Sequence, residues 1–264
     1  FDISGTKYED TNGNGAIDDG EAGLAGWTIY IDSNNNNQFD DGEKSAITDA
    51  TGYWEITGLD WTYDDALVKE VLKNGWTQTV GPVSGIVGTS GNDGQVFDFA
   101  NFEDMVISGY KWADLDADSD WNEADTAVLS GWTIVIDDNE DSTDGYLFSA
   151  VTDANGKYEF ILSYDDIDDL TATTLYVYEV QQDGFTQTYG GFSFTITSGL
   201  EIIGDLGLAE DGNFGNHMMG GANRTPGFWQ STLGKSFYDG NPNNQGDANG
   251  DGIPDGNKDY ESEG

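Results

Sequence analysis

The sequence predicts an all-β protein made of two tandem β-sandwich domains, and three observations predict it. The chain of 264 residues contains an internal repeat of about 104 residues, which indicates two copies of one domain. Each copy contains short runs of β-branched and aromatic residues, most of them bounded by Gly, Asp or Asn clusters, as in strands joined by turns. Apolar residues show no sustained helical period, so the sequence indicates no helix.

The repeat is visible as blocks that return in the same order. With each second occurrence beside the first, these blocks are 3–10 and 107–114, 26–29 and 131–134, 48–55 and 152–159, 75–79 and 184–188, and 99–102 and 214–217. They place one domain at 1–104 and the next at 105–217. Three alternatives stay open for the Gly/Asn/Asp-rich segment 218–264: it begins a third domain, wraps onto the second, or contacts a neighbouring subunit.

Strands are expected at corresponding places of the two copies. Val, Ile, Thr and aromatic residues favour the pleated, half-buried surface of a sheet. The predicted strands are 27–31, 53–56, 66–71 and 96–102 in the first copy, and 132–136, 158–161, 175–180 and 192–196 in the second.

The acidic composition favours metal-binding loops over contact with nucleic acid. The net charge is −41, and the 50 acidic residues comprise 36 Asp and 14 Glu. Asp favours turns and oxygen-rich metal loops, whereas nucleic acid and anionic membranes are bound by basic faces. An acidic surface of the halophile kind stays open as an alternative, while an aromatic content of 13% argues against a disordered tail.

Two absences from the sequence narrow the choice of stabilising element. The chain has no cysteine, so metal ions rather than disulfides are the first candidate in a secreted protein. No apolar run reaches the roughly 20 residues of a membrane span. The chain starts at Phe1 without a signal-like segment, and we expect it to be a fragment of a longer protein of the cell surface or extracellular matrix.

Two loops of the first copy have the spacing of a twelve-residue calcium loop. Residues 10–21 fit the pattern D-x-[DN]-x-[DN]-G-x5-E, and 32–43 repeat it with Asn37 in the glycine position. Carboxylate, amide and carbonyl oxygens at this spacing wrap Ca²⁺, and their number and flexibility favour it over Mg²⁺. The predicted ligands are Asp10, Asn12, Asn14, Ala16, Asp18 and Glu21, and Asp32, Asn34, Asn36, Gln38, Asp40 and Glu43.

Three further loops depart from this pattern. The third has Ser119 at position 6 and the shorter Asp125 at position 12. The fourth starts at Asp137, but position 12 falls on Phe148, so it is either incomplete or completed from another loop. The last loop has Lys258 at position 12. The predicted ligands are Asp114, Asp116, Asp118, Asp120, Asn122 and Asp125; Asp137, Asn139 and Asp141; and Asp247, Asn249, Asp251, Ile253 and Asp255.

Turns rich in Asp and Asn that hold no ion are the alternative for these loops. One match in an acidic chain would leave this alternative strong, but several matches at equivalent repeat positions favour metal binding. The flanking segments look like strands, which distinguishes these loops from the helix-flanked loops of EF-hands.

Each copy also places one Lys, one Glu and one Asn on faces that we expect to be buried. Residues two apart in a strand share a face. Lys7 is in phase with Ile3 and Gly5, and the other members are likewise in phase with apolar neighbours. The triads are Lys7, Glu70 and Asn101, and Lys111, Glu179 and Asn216.

Burial of such a triad favours a covalent reaction. Desolvation makes the neutral amine and the neutral acid accessible, and a neutral amine is a nucleophile. The prediction is a Lys–Asn isopeptide bond, formed with loss of ammonia, between the first and last strands of each copy. A buried, hydrogen-bonded Lys–Glu pair without a bond is the alternative.

Residues 3–21, followed by GLAGWTI at 23–29, resemble the B-type repeats of serine-aspartate repeat (Sdr) surface proteins and the related collagen-adhesin (Cna) B-type domains. The resemblance covers about 1–217. It implies prealbumin-like, immunoglobulin-like β-sandwiches in a stalk, calcium in loops of the Sdr type and isopeptide bonds of the Cna type. Both triads occupy the places of the Cna pattern, whereas Sdr repeats generally have apolar residues in the Lys and Glu positions. The chain therefore looks like a combination of the two.

Two features near the C-terminus carry weaker resemblances. Residues 224–229, RTPGFW, resemble a TPGFW segment found near the ends of large bacterial extracellular proteins, and a Pro-Gly turn with buried aromatics is the alternative. The loop at 247–255 resembles the calcium loops of thrombospondin type-3 repeats or dockerins.

These observations predict a calcium-stabilised structural module of a stalk, filament or biofilm matrix, without enzymatic turnover. Its expected partners are neighbouring domains or copies of the same protein. The alternative is an adhesin that binds a glycan or a protein through exposed aromatics such as Trp61, Trp121 or Phe237. The one histidine, His217, lies in a segment that looks like a loop and supports neither Ser-His-Asp chemistry nor a metal site.

Overall fold

The computed structural model describes residues 1–89, 93–124, 127–139 and 145–219. The described residues form seventeen strands, one turn of α-helix and one 3₁₀ turn. This confirms the predicted all-β class. No helix in the described ranges is long and apolar enough to span a membrane.

Eight strands form within the first copy. They are β1 (Ile3–Glu9), β2 (Thr28–Asp32), β3 (Ser45–Ile47), β4 (Tyr53–Ile56), β5 (Leu67–Glu70), β6 (Trp76–Val80), β7 (Gln95–Val96) and β8 (Phe99–Glu103). A 3₁₀ turn, Trp61–Tyr63, lies between β4 and β5.

Nine strands and a helical turn follow. They are β9 (Met105–Ala113), β10 (Thr133–Asp137), β11 (Phe148–Val151), β12 (Lys157–Leu162), α1 (Tyr164–Ile167), β13 (Thr174–Glu179), β14 (Phe185–Tyr189), β15 (Phe192–Thr195), β16 (Glu201–Ile203) and β17 (Phe214–Met218).

Two sheets form the β-sandwich of the first copy. One has the order β4-β1-β8-β6, with β7 also paired to β1, and the other has the order β3-β2-β5. The first strand β1 and the last strand β8 are parallel neighbours. Buried residues of both sheets and their connections form one apolar cluster: Ile3, Ile29, Ile31, Trp54, Ile56, Leu59, Val68, Ile86, Phe97 and Phe99.

The second copy repeats this topology. Its sheets have the orders β12-β9-β17-β14, with β16 paired to β9, and β11-β10-β13-β15. Strands β9 and β17 are parallel neighbours, as β1 and β8 are. The additional strand β15 extends the second sheet beside β13. The shared topology is the structural counterpart of the sequence repeat.

Side chains alternate between the two faces of a strand, and this alternation predicts which of them enter the core. In β1 the buried residues are Ile3, Gly5 and Lys7, which alternate with partly exposed ones. In β5 Val68 and Glu70 are buried in the same way. One face of each strand therefore contributes both apolar residues and the predicted triad residues.

The prediction of one continuous strand over 96–102 is wrong. The structure has two strands there, because β7 ends at Val96 and β8 begins at Phe99. The side chain of Asp98 explains the interruption. Its Oδ1 accepts a hydrogen bond from the backbone N–H of Thr6 at 2.8 Å, where a continuous ladder would use a backbone carbonyl. The side chain of Asp98 therefore takes part in the pairing of β1 with the segment between β7 and β8.

The expectation of no helix is wrong for one turn, α1. The backbone N–H and the hydroxyl of Ser163 both donate to Asp166 Oδ2, at 2.8 and 2.7 Å, which caps the turn. A helix of four residues is too short to produce a hydrophobic period, so the pattern could not reveal it.

The described chain forms two compact units. The first consists of 1–107, 160–175 and 194–201, and the second of 108–159, 176–193 and the described residues from 202 onward. All three members of each triad belong to a single unit. The predicted domain boundary after residue 104 stays a prediction.

Candidate functional site

The candidate site is a Lys–Glu–Asn triad that recurs in both copies. Lys7 on β1 pairs in register with Phe99 on β8, two residues before Asn101, so the lysine and the asparagine lie on adjacent parallel strands. Glu70 ends β5 in the other sheet of the sandwich, where it pairs with Ile29. The triad therefore connects the first strand, the last strand and the facing sheet.

In the first copy the lysine amine contacts both partners. The Nζ of Lys7 lies 2.8 Å from Glu70 Oε2. It also donates a short hydrogen bond to Asn101 Oδ1. The Nδ2 of Asn101 is buried and has no hydrogen-bond partner among the described residues. The amine is thus in contact with the carboxamide, with the carboxylate beside it.

The second copy has the same arrangement with two further bonds, one of which joins Lys111 Nζ to the carbonyl oxygen of Phe214 at 3.3 Å. The Nζ of Lys111 lies 3.0 Å from Glu179 Oε2 and donates to Asn216 Oδ1 at 2.5 Å. The Nδ2 of Asn216 donates to Glu179 Oε1 at 2.7 Å. Here the carboxylate bridges the amine and the carboxamide nitrogen, which is the route that a proton would follow between them.

Burial changes the acid–base behaviour of both lysines. Lys7 and Lys111 have no solvent exposure. Burial disfavours the ammonium form and lowers the pKa of each lysine to about 8, although the neighbouring Glu70 or Glu179 opposes this shift. An uncharged amine is therefore far more accessible at these two positions than on an exposed lysine.

Aromatic rings cover both lysine amines. The Nζ of Lys7 lies 4.7 Å from the centroid of the Trp27 ring, and that of Lys111 lies 4.6 Å from the Trp132 ring. The sequence places both tryptophans at the starts of predicted strands, but it did not reveal their contact with the triads. The Gly-Trp-Thr-Ile block that occurs in both copies was the available signal.

The first two acidic loops have the same internal hydrogen bonds. Asp10 accepts bonds from the backbone N–H groups of positions 5 and 6 at 3.1 and 2.9 Å, and Asp32 does so at 3.1 and 2.9 Å. Glu21 accepts from positions 2 and 9 at 3.0 and 3.1 Å, and Glu43 at 2.9 and 3.0 Å. The first and last predicted ligands thus close each loop.

The middle predicted ligands of these loops form hydrogen bonds with the aspartate at position 9. Asn12 and Asn14 donate to Asp18 Oδ2 at 3.0 and 2.8 Å. Their counterparts Asn34 and Asn36 donate to the equivalent Asp40 at 2.8 and 2.7 Å. The position-7 residues take part through their backbone, since the N–H groups of Ala16 and Gln38 donate to the side-chain oxygens of the position-5 asparagines, both at 2.9 Å.

Left-handed backbone at two positions shapes the three loops that start at residues 10, 32 and 114. Position 6 has a positive φ in each of them, of 69°, 61° and 68°, and so does position 4, at 64°, 58° and 61°. Glycine occupies both positions in the first loop, and Asn tolerates this conformation better than most residues. The third loop adopts it with Ala117 and Ser119.

The third loop has a ligand candidate that the sequence pattern missed. Glu123 Oε1 accepts a bond from the N–H of Leu115 at 2.6 Å, the same position-2 contact that Glu21 makes with Thr11. Oxygens of Asp114, Asp116 and Glu123 lie within 4.8 Å of one another. Glu123 stands at position 10, so a twelve-residue template could not find it.

The structure also describes three other predicted ligands of the third loop, Asp118, Asp120 and Asn122. Asp118 accepts a bond from the N–H of Asp120 at 2.9 Å and another from Asn122 Nδ2 at 2.9 Å. Asp125 lies outside the described residues.

The fourth loop differs from the first three. Asp137 is buried, and its Oδ2 accepts a bond from the Tyr178 hydroxyl at 3.1 Å. Asn139 donates to Asp138 at 2.8 Å. The remaining predicted ligands, and the TPGFW segment, lie outside the part of the chain that the structure describes: Asp141, Asp247, Asn249, Asp251, Ile253 and Asp255.

The donor set of the first three loops fits a hard divalent cation. All candidate ligands are oxygens, and Asp10, Asp32 and Asp114 are fully buried at the base of their loops. Burial is the main cause that raises the pKa of Glu21 and of Glu123, and neighbouring aspartates add to it. Such crowded carboxylates are the arrangement that a cation would stabilise.

Two other expectations are corrected by the structure. Trp121 is buried, with 4% exposure, and stacks on Trp112 at 5.0 Å and 5°, so it is no exposed ligand-binding aromatic. Trp61 is 76% exposed, and Phe237 lies outside the described residues.

His217 lies within β17 rather than in a loop, and its Nδ1 is 2.9 Å from the carbonyl oxygen of Asp114.

Comparison with known proteins gives distant structural likenesses. No family model matches the chain, and no curated protein matches it. The shaft pilin SpaA from Lactobacillus rhamnosus GG is 12% identical, with 84% of this chain and 99% of that chain covered and a TM-score of 0.27. A streptococcal ancillary pilin is 15% identical, covering 82% and 62%, with a TM-score of 0.31. The major pilin SpaD from Corynebacterium diphtheriae is 9% identical, covering 83% and 97%, with a TM-score of 0.28. At these values the likenesses carry no argument about function.

Proposed function

We propose that the chain is a structural module of a stalk or fibre at the cell surface or in the extracellular matrix. In this proposal each copy is closed by a Lys–Asn isopeptide bond and stiffened by calcium. The observation that carries it is the recurrence of one buried Lys–Glu–Asn triad between parallel first and last strands. The partners would be neighbouring domains or further copies of the protein, and no turnover chemistry is proposed.

The reaction needs no group beyond the triad. The uncharged Nζ of the lysine attacks Cγ of the asparagine, and the glutamic acid polarises the carboxamide. The new C–N bond forms, the bond from Cγ to Nδ2 breaks, and the proton lost by the amine reaches Nδ2 through the carboxyl group. One ammonia leaves for each bond, so the folded chain becomes lighter by about 17 Da per bond.

The position of the bond suits a module under tension. Lys7 is near the start of the first copy and Asn101 near its end, so force along the chain would pass through the bond. The chain between them, which spans a sequence separation of 94, would bear little load. Lys111 and Asn216 would do the same for the second copy.

Calcium would act on the loops at the ends of the strands. Asp10, Asp32 and Asp114 each follow or end a strand, so an ion there would fix the strand end to its loop. The ligands of the third loop would include Glu123. The uncharged Asn ligands reduce the charge of the first two sites, which favours the weaker affinities of extracellular calcium modules, about 10⁻⁴–10⁻³ M.

Stretching single molecules of the full chain tests this function. With both bonds formed and calcium present, neither copy should extend by unfolding under force. The double variant Glu70→Gln with Glu179→Gln should unfold in two steps. Each step would lengthen the chain by about 330 Å, from 94 or more positions at about 3.5 Å each. Steps of that length in the unsubstituted chain would contradict the proposal.

A further inference from the structure

Among the described residues, the surroundings of the two triads differ in a charged residue. In the first copy Lys73 follows Glu70 by three positions, and its Nζ lies 4.5 Å from the centroid of the Trp27 ring. The Nζ of Lys7 lies 4.7 Å from the ring of the same tryptophan. Two lysine amines, one exposed and one fully buried, therefore contact one indole.

The second copy has a neutral residue at the equivalent place. Three positions after Glu179 stands Gln182, whose Nε2 donates to the carbonyl oxygen of Gly131 at 3.1 Å. The amine of Lys111 lies 4.6 Å from the Trp132 ring. The chain thus contains two versions of one site, with and without the additional cation.

A cation beside Lys7 disfavours its protonated form in two ways. It repels the ammonium directly, and it shares the π-system of the same indole with Lys7. The attraction of that π-system for the Lys7 ammonium is therefore reduced. The causes that set the pKa of Lys7 are, in order, burial, the opposing Glu70, and Lys73, which lowers it further. The pKa of Lys111 depends on burial and the opposing Glu179.

We propose that Lys73 is a positioning residue of the first triad, which acts on Trp27 and on the charge of Lys7 and thereby favours the uncharged, nucleophilic amine. This inference rests on the proposed isopeptide reaction. Glu70 on β5 and Lys73 just beyond it are the charged groups that act on Lys7. The contacts from β8 and from the segment before β2 come from Asn101 and Trp27, which are neutral.

Lys73 takes no part in the bonds that form and break. The C–N bond joins Lys7 to Asn101, and ammonia leaves as in the unassisted reaction. Lys73 alters only how often the amine is uncharged when it meets the carboxamide. Because this lysine is exposed, its effect should weaken as salt screens its charge.

Refolding of the full chain at defined pH tests the proposal. The chain is purified unfolded, diluted into calcium-containing buffer, quenched in acid at intervals and digested. Mass spectrometry then measures the branched peptide of the first site against that of the second, an internal reference in the same molecule. Lys73→Gln should slow the first bond about three-fold relative to the second, which corresponds to about half a pKa unit.

Further variants separate charge from shape. Lys73→Glu should slow the first bond more than Lys73→Gln, Lys73→Arg should restore it, and Gln182→Lys should accelerate the second bond. The pH at which the first bond becomes slow on the alkaline side should move upward in Lys73→Gln, and this difference should shrink in 1 M salt, where the screening length is about 3 Å.

The outcomes distinguish the two levels of the proposal. Absence of ammonia loss at both sites of the unsubstituted chain would overturn the reaction, and the role of Lys73 with it. If both bonds form and neither Lys73→Gln nor Lys73→Glu changes the ratio or the pH profile, only the role of Lys73 is overturned. A slow Lys73→Arg variant would also overturn it, since the charge is retained.

Discussion

Replacing Glu70 with glutamine should both prevent the first isopeptide bond and destabilise the first unit. The substitution preserves the shape of the side chain but removes the carboxylate that lies 2.8 Å from the amine of Lys7. The proton then lacks its route to the leaving nitrogen, so the mass of the variant should exceed that of the parent by about 17 Da, apart from the substitution itself. The bond between Lys111 and Asn216 should form as before.

The size of the destabilisation follows from the loop that the bond closes. A link between positions 94 apart removes chain entropy from the unfolded state worth about 4.7 kcal/mol, by the relation used for cross-links. The unlinked amine of Lys7 also stays buried in the variant without a carboxylate beside it, which adds to the loss. The free energy of unfolding should therefore fall by at least about 4.7 kcal/mol.

Guanidinium unfolding, followed together with intact mass, measures this change. Glu55→Gln is the matched control, because Glu55 is exposed on β4 in the same unit and the chemical change is identical. We expect the control to stay within about 0.5 kcal/mol of the parent. A Glu70→Gln variant as stable as this control, or one that still loses two ammonia molecules, would refute the reasoning.

Three further predictions concern the third loop, the backbone of β1 and the pH dependence of the reaction. Glu123→Gln should weaken calcium binding at the third loop in calorimetric titration, because its carboxylate lies with those of Asp114 and Asp116, and unchanged binding would contradict the assignment of Glu123. Gly5→Ala should destabilise the first unit by about 3 kcal/mol or more, because its Cβ would collide with the carbonyl oxygen of Phe97; an unchanged Tm would contradict this. The rate of bond formation should be level below about pH 8 and fall above it. The reactive pair, an uncharged amine beside a protonated glutamic acid, holds the same single proton as the ion pair of ammonium and carboxylate, and this proton is lost above the lysine pKa of about 8. A rate that rises beyond pH 8 in quenched refolding would contradict this prediction.

The alternation of side chains along a strand and the internal repeat were enough to predict that the triad residues are buried. Lys7, Glu70 and Asn101 each share a strand face with apolar neighbours, and the same positions recur in the second copy. Side-chain direction in a strand follows from the backbone alone, so it can be deduced from the sequence. The contact between the three residues could not be deduced, because it depends on the parallel pairing of β1 with β8 and on the facing sheet.

The errors have a common physical cause, which is that local patterns do not report tertiary contacts. Trp121 stands between acidic and amide residues and looked exposed, but it stacks on Trp112. Glu123 was missed because a template of fixed length assumes a fixed loop path. The break between β7 and β8 depends on Asp98 reaching Thr6, 92 positions away.

The mass of the intact, folded chain tests the central claim most directly. If both triads react, the chain should be lighter than its sequence mass by about 34 Da, the mass of two ammonia molecules. Digestion should yield two branched peptides, one joining Lys7 to Asn101 and the other joining Lys111 to Asn216. A chain folded in the presence of calcium that retains its full sequence mass would contradict the account.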